Sequence, residues 1–168
     1  MQELIRCNMG EEITLEEGMQ APLFSAEDAG GNVWNLSDLL AEGKRVVLYF
    51  YPKDSTPGCT TQACDFRDNM GALSAADVAV FGVSKDSAKS HQNFTEKQGL
   101  NFPLLLDTDG ELLEMYGVWR EKKNYGRTYM GISRSTFVIE NDGTLSLAKY
   151  GVKAKGHVGR ILAHLALE

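Results

Sequence analysis

The stretch Val46-Val47-Leu48-Tyr49-Phe50-Tyr51-Pro52-Lys53-Asp54-Ser55-Thr56-Pro57-Gly58-Cys59-Thr60-Thr61-Gln62-Ala63-Cys64 runs from an apolar segment through a proline-bracketed turn into a cysteine-bearing repeat. Apart from Leu48, its first six residues are β-branched or aromatic; the run is too short for a helix and apolar on both faces, which predicts a strand inside a covered parallel sheet. Pro52 stops that strand. Beyond Pro57-Gly58, Cys59, Ala63, Phe66, Met70 and Leu73 recur at steps of four, three, four and three, one face of an α-helix. Cys59 therefore opens a helix on its buried stripe. Unpaired N–H groups and the positive end of the helix dipole meet at that position, and both favour a thiolate. Cys64 lies five residues on, rotated by about 140° off the apolar stripe, and is expected to face solvent. On an ideal helix the two Cα atoms stand roughly 8 to 9 Å apart, too far for an unstrained disulfide. If these cysteines pair, the helix start must unwind, and Thr60, Thr61, Asp65, Asn69 and Gly71 are modest to poor helix formers.

Outward from this segment the chain alternates strand and helix. Upstream, Leu23 to Asn35 reads as a hairpin around Ala29-Gly30-Gly31-Asn32, followed by a short helix with Ser37 as N-cap and Gly43 as its stop. Downstream, Val78 to Val83 is a second buried strand, and a helix from Ser87 to Gln98 ends at Gly99. A strand at Pro103 to Leu106, a helix at Glu111 to Tyr116, a hairpin turning at Asn141-Asp142-Gly143 and a helix from Gly156 complete the order. The pattern is α/β, with a mixed central sheet flanked by helices. Trp119 to Ser133 lacks periodicity and is expected to be an exposed loop.

At 168 residues the chain suits one domain, 1–168. A formal charge of −6 without a basic block argues against nucleic acid or an anionic membrane as partner. Three cysteines are too few for a disulfide scaffold and leave an odd thiol, which fits a reducing, cytoplasmic compartment. No apolar stretch has the length of a signal peptide or a bilayer span. His91, His157 and His164 lack metal-ligand spacing to any cysteine. Asp107-x-Asp109-Gly110 reads as a turn rather than a calcium loop. Neither Gly30-Gly31 nor Lys155-Gly156-His157 has phosphate-loop form. No bound cofactor or metal is expected.

The spacing Pro52-x-x-x-Thr56-x-x-Cys59 resembles the active-site signature of the peroxiredoxins, and Cys64 five residues later is similar to their peroxiredoxin Q branch, also called bacterioferritin comigratory protein. The resemblance extends to Tyr49-Phe50-Tyr51-Pro52, Phe66-Arg67-Asp68, Phe102-Pro103-Leu104-Leu105, Tyr116-Gly117-Val118-Trp119 and Arg134-Ser135-Thr136-Phe137-Val138-Ile139. It covers Met19 to Leu167, leaving residues 1–18, with Cys7, as a peripheral extension. It implies the thioredoxin fold with an N-terminal hairpin, and puts the Trp119 to Ser133 stretch near the active site.

The resemblance also implies roles. Cys59 would be the peroxidatic nucleophile that becomes a sulfenic acid, and Cys64 the resolving cysteine that forms an intramolecular disulfide with it. Thr56 would offer its hydroxyl to the incoming peroxide; read from the sequence alone it is equally a helix N-cap. Pro52 would hold the loop over the thiol, with Pro57 either sharing that role or simply rigidifying the turn. Arg134, by composition a solvated charge, would favour the thiolate and stabilise the leaving oxygen. Backbone N–H groups of Gly58 and Cys59 would add donors. The implied partners are a hydroperoxide and a thioredoxin-like dithiol reductant, and the implied state is a monomer rather than a dimer. Cys7 is expected to be a bystander. The alternatives are a one-cysteine peroxidase resolved by an external thiol, a thiol–disulfide carrier without peroxidase activity, and an interaction protein that uses the fold as a scaffold.

Overall fold

A computed structural model describes residues 13–166; Cys7 and most of the expected extension lie outside the described residues. The described end of that extension is not peripheral: Leu15 is buried in the core, its N donates to Tyr150 Oη at 2.9 Å, and Gly18 N donates to Leu145 O at 2.8 Å. The backbone of the fold is a five-stranded sheet in the order β5-β4-β3-β8-β9. Its strands are β3 (Arg45–Phe50), β4 (Val78–Ser84), β5 (Leu104–Leu106), β8 (Ser135–Ile139) and β9 (Leu145–Lys149). β3, β4 and β5 run parallel, while β8 is antiparallel to both β3 and β9. The mixed sheet expected from the order of elements is present.

The apolar run at β3 is central and covered on both sides. Val46, Leu48 and Phe50 point into one cluster with Leu36 and Leu39 of α1 (Leu36–Ala41) and Leu112 and Leu113 of α5 (Glu111–Met115). Val47, Tyr49 and Tyr51 point into the other. There they meet α2 (Pro57–Asp68), α3 (Met70–Ala75), α4 (Ala88–Gln98) and α6 (His157–His164) through Phe66, Leu73, Phe94 and Ile161. The strand's period of two thus divides one sequence run between two cores. β1 (Ser25–Glu27) and β2 (Val33–Asn35) form the N-terminal hairpin. The Asp28 carboxylate closes its loop by accepting from the Gly30 and Asn32 amides at 2.8 and 2.9 Å and from the Trp34 indole at 2.9 Å.

Three local expectations need correction. Asn35, not Ser37, is the N-cap of α1, because Leu36 N still donates to Phe24 O and holds the hairpin until the helix begins. The predicted helix through Leu73 breaks at Asn69, whose backbone (φ −111°, ψ 7°) ends α2 and starts α3. The five stripe residues remain buried across the break. The third correction concerns Trp119 to Ser133, which is no irregular loop but a hairpin of β6 (Trp119–Asn124) and β7 (Arg127–Ile132). Tyr125 and Gly126 form its two-residue turn, both at positive φ (53° and 77°). That is the turn sense matching the twist of paired strands.

Candidate active site

Cys59 occupies the first turn of α2 and is 1% exposed. Pro57 opens the helix, where its missing N–H removes no bond. Thr60 N donates to Thr56 O at 2.8 Å, so the amides of Gly58 and Cys59 fall in the turn that has no intrahelical acceptors. On the other side of the sulfur stands Arg134, just ahead of β8. Its Nη2 donates to Cys59 Sγ at 3.4 Å, and its Nη1 donates to Gln62 Oε1 at 2.7 Å. A bond from a guanidinium is stronger to a thiolate than to a thiol. Gly58 permits the approach, since a Cβ there would stand 3.2 Å from Arg134 Nη2.

Gln62 was not singled out in the sequence. It is fully buried, one turn after Cys59, and its Nε2 has no hydrogen-bond partner among the described residues. The available signal was its spacing: a residue at i+3 from a helix-opening cysteine shares its face.

Thr56 is the N-cap residue by backbone position (φ −88°, ψ 157°), but its hydroxyl caps no helix amide. It donates instead to Lys53 O at 2.9 Å, which leaves its oxygen lone pairs able to accept. Pro52 and Pro57 are both exposed, the first ending β3 and the second starting α2. Between them Asp54 is buried, accepting from Tyr51 Oη at 2.6 Å and Ser90 Oγ at 2.8 Å and contacting His91 Nδ1 at 2.7 Å. No local pattern in the sequence joins His91 to Asp54, 37 residues earlier. Ligand-capable atoms of Asp54, Asp86 and His91 lie within 4.8 Å of one another, but they are already engaged by these bonds and by Asp54 N donating to Asp86 Oδ2 at 2.8 Å.

Cys64 is half-buried instead of facing solvent. The end of α4 packs against this side of α2, so that Cys64 Sγ donates to Gln98 Oε1 at 3.5 Å and Arg67 Nη1 donates to Gln98 O at 2.5 Å. Both thiols are free, and both sit in the one unbroken helix α2. Tyr49 packs in the same cluster as Cys59, its hydroxyl unpaired among the described residues. Burial pushes that hydroxyl well up, and the charge of Cys59 adds to it. The β6–β7 hairpin reaches the same region. Burial lowers the Lys122 ammonium, the positive charge of Arg134 lowers it further, and Cys59 opposes both. Lys122 Nζ donates to Ile132 O at 2.7 Å.

The family model described as AhpC/TSA matches residues 18–148, most of the chain. The chain belongs to the AhpC/TSA family. Peroxiredoxin Bcp of Bacillus subtilis (strain 168) is 47% identical over 153 residues, spanning 91% of this chain and 96% of that protein. Among solved structures, Xanthomonas campestris bacterioferritin comigratory protein, studied for alkyl peroxide reduction, superposes with a TM-score of 0.80. It is 41% identical, over 85% of this chain and 90% of the other. A variant of Xylella fastidiosa PrxQ gives a TM-score of 0.85 at 35% identity, over 92% and 97% of the two chains. This AhpC/TSA protein is a peroxiredoxin of the Bcp/PrxQ kind with a thioredoxin-like fold, and an enzyme of the thiol peroxidase class. Its substrates are hydroperoxides and its reductants thiols. No helix among the described residues is long and apolar enough to cross a membrane.

Proposed function

We propose that the protein reduces hydrogen peroxide and alkyl hydroperoxides through Cys59, resolves through Cys64 and is recycled by a thioredoxin-like dithiol. The Cys59 thiolate attacks one peroxide oxygen; the S–O bond forms as the O–O bond breaks. The departing oxygen takes a proton and leaves as water or alcohol, and Cys59 becomes a sulfenic acid. Negative charge grows on that oxygen. Arg134 and the first-turn amides of Gly58 and Cys59 supply donors there, and Thr56 Oγ accepts from the peroxide hydroxyl. Cys64 then attacks the sulfenic sulfur, forming the disulfide and releasing water, once the start of α2 has unwound. A dithiol exchanges with that disulfide and restores both thiols. The protein acts in the cytoplasm as a monomer of one domain and needs neither nucleic acid nor membrane.

The observation that carries this reading is the guanidinium donor 3.4 Å from a buried, helix-opening cysteine sulfur. It is tested by following hydroperoxide consumption with a thioredoxin system as electron source. Turnover should vanish in Cys59→Ser, fall at least about 10-fold in Arg134→Lys, which cannot keep both contacts, and survive only with external thiols in Cys64→Ser. Full turnover in Cys59→Ser would refute the assignment.

A further inference from the structure

The loop that delivers Cys59 is tied down at Asp54, and helix α4 holds the tie. His91 is fully buried, with Asp54 Oδ2 2.7 Å from Nδ1 and Leu105 O 3.0 Å from Nε2. A carbonyl only accepts, so Nε2 carries a hydrogen, and a further proton is shared in the contact between ring and carboxylate. Ser90 adds its hydroxyl to the same carboxylate oxygen, and Tyr51 donates to the other. The loop backbone is held as well: Asp54 N donates to Asp86 Oδ2, which also accepts from Ser84 Oγ at 2.7 Å. Immediately after this anchor Ser55 sits at φ 64°, a left-handed conformation that a non-glycine residue keeps only when its surroundings impose it. The anchor and the strained residue adjoin the turn that must unwind for Cys59 to reach Cys64.

We propose that Ser90 and His91, acting through Asp54, are positioning residues: they hold the loop in the conformation that attacks peroxide and thereby set how often Cys59 is released to Cys64. This inference rests on the two-cysteine cycle proposed above. Attack uses the seated loop, the majority state, while disulfide formation draws on the released minority. Weakening the anchor raises the released fraction and leaves the seated majority almost unchanged. Removing one hydrogen bond to a carboxylate shifts that ratio by about tenfold.

The test is Ser90→Ala in the full chain. The variant replaces a half-buried serine with a better helix former and should fold. Rapid-quench alkylation and mass analysis give two rates: Cys59 oxidation by hydrogen peroxide, and conversion of sulfenic acid to the Cys59–Cys64 disulfide. The second should rise about tenfold while the first stays within about twofold, and about tenfold more peroxide should be needed to drive Cys59 to sulfinic acid. Ser90→Thr, which keeps the hydroxyl, should behave like the unaltered chain, and His91→Gln should move the partition further in the same direction. Leu39→Ala, in the opposite core, serves as control: it lowers stability and should leave the partition alone. An unchanged partition in Ser90→Ala, or both rates falling together as in a general loss of structure, overturns the proposal. If the unaltered chain forms no Cys59–Cys64 disulfide at all, the two-cysteine cycle fails and the inference falls with it.

Discussion

Replacing Gln62 with methionine should separate activity from stability. The side chains have similar volume, so the helix face stays filled, while the acceptor for Arg134 Nη1 at 2.7 Å is lost. A hydrogen bond to a charged group contributes about 1.5–3 kcal/mol. Against that, Gln62 Nε2 is buried without a partner among the described residues, an arrangement that costs about 1–3 kcal/mol and that methionine removes. The two terms oppose each other, so the unfolding free energy should change by no more than about 2 kcal/mol in either direction. Catalysis has no such compensation. With one of its two contacts gone, the guanidinium is free to leave the sulfur, and a loss of about 1.4–2.8 kcal/mol in the transition state lowers the peroxide rate constant about 10- to 100-fold. The assay is stopped-flow oxidation of Cys59 under pseudo-first-order peroxide, beside urea unfolding of the same preparation. A rate within about twofold of the unaltered chain would refute the idea that Gln62 orients Arg134. Parallel losses in rate and stability would reduce Gln62 to a packing residue.

Other outcomes follow from the same geometry. Burial, reinforced by the positive charges of Arg160 and Arg134, holds the His157 imidazole down at about 4 in the folded chain, against 6.5 for an ordinary histidine. The unfolded chain therefore binds the extra proton first as pH falls, and stability should drop by about 2–3 kcal/mol between pH 6.5 and 4 with no contribution above pH 6.5. Urea unfolding at pH 7 and 4.5 should show that drop, and His157→Gln should remove it. Thr61→Ala, on the exposed face of α2 between the cysteines, strengthens the helix by about 0.6 kcal/mol. It should slow disulfide formation about threefold without slowing peroxide attack, read by rapid quench. Gly71, a similar target on sequence grounds, lies beyond the Asn69 break in α3, where stiffening acts on the wrong helix. Gly82→Ala would bring a Cβ to 2.9 Å from both Leu104 Cδ2 and Tyr49 Cζ, and should lower stability by about 1–3 kcal/mol in a denaturant titration.

The elements legible in the sequence were those whose pattern is local. β3 and β4 announce themselves as apolar runs, and the stripe from Cys59 to Leu73 is buried even though Asn69 interrupts its helix. Turn chemistry gave the hairpins at Gly30-Gly31 and Asp142-Gly143. The β6–β7 hairpin escaped because most of β7 is exposed, so burial imposes no alternation; only Tyr125-Gly126, at positive φ, carried a turn signal. Arg134 entered through resemblance alone, since nothing local marks a charge at a strand's start as a ligand for sulfur 75 residues away. Gln62, His91 and the half-buried setting of Cys64 depend on which helix packs against which face, information that no local period contains. A buried histidine reads in sequence like a solvated one, and Asp54 reads like a turn aspartate until α4 is laid beside it.

The most direct test of the account is the mass of the fully reduced protein after one equivalent of hydrogen peroxide, with peptide mapping to locate any link. The account predicts a loss of about two mass units carried by a Cys59–Cys64 disulfide, formed within seconds and absent in Cys59→Ser. A stable gain of about one oxygen on Cys59, with Cys64 still a thiol, would contradict it.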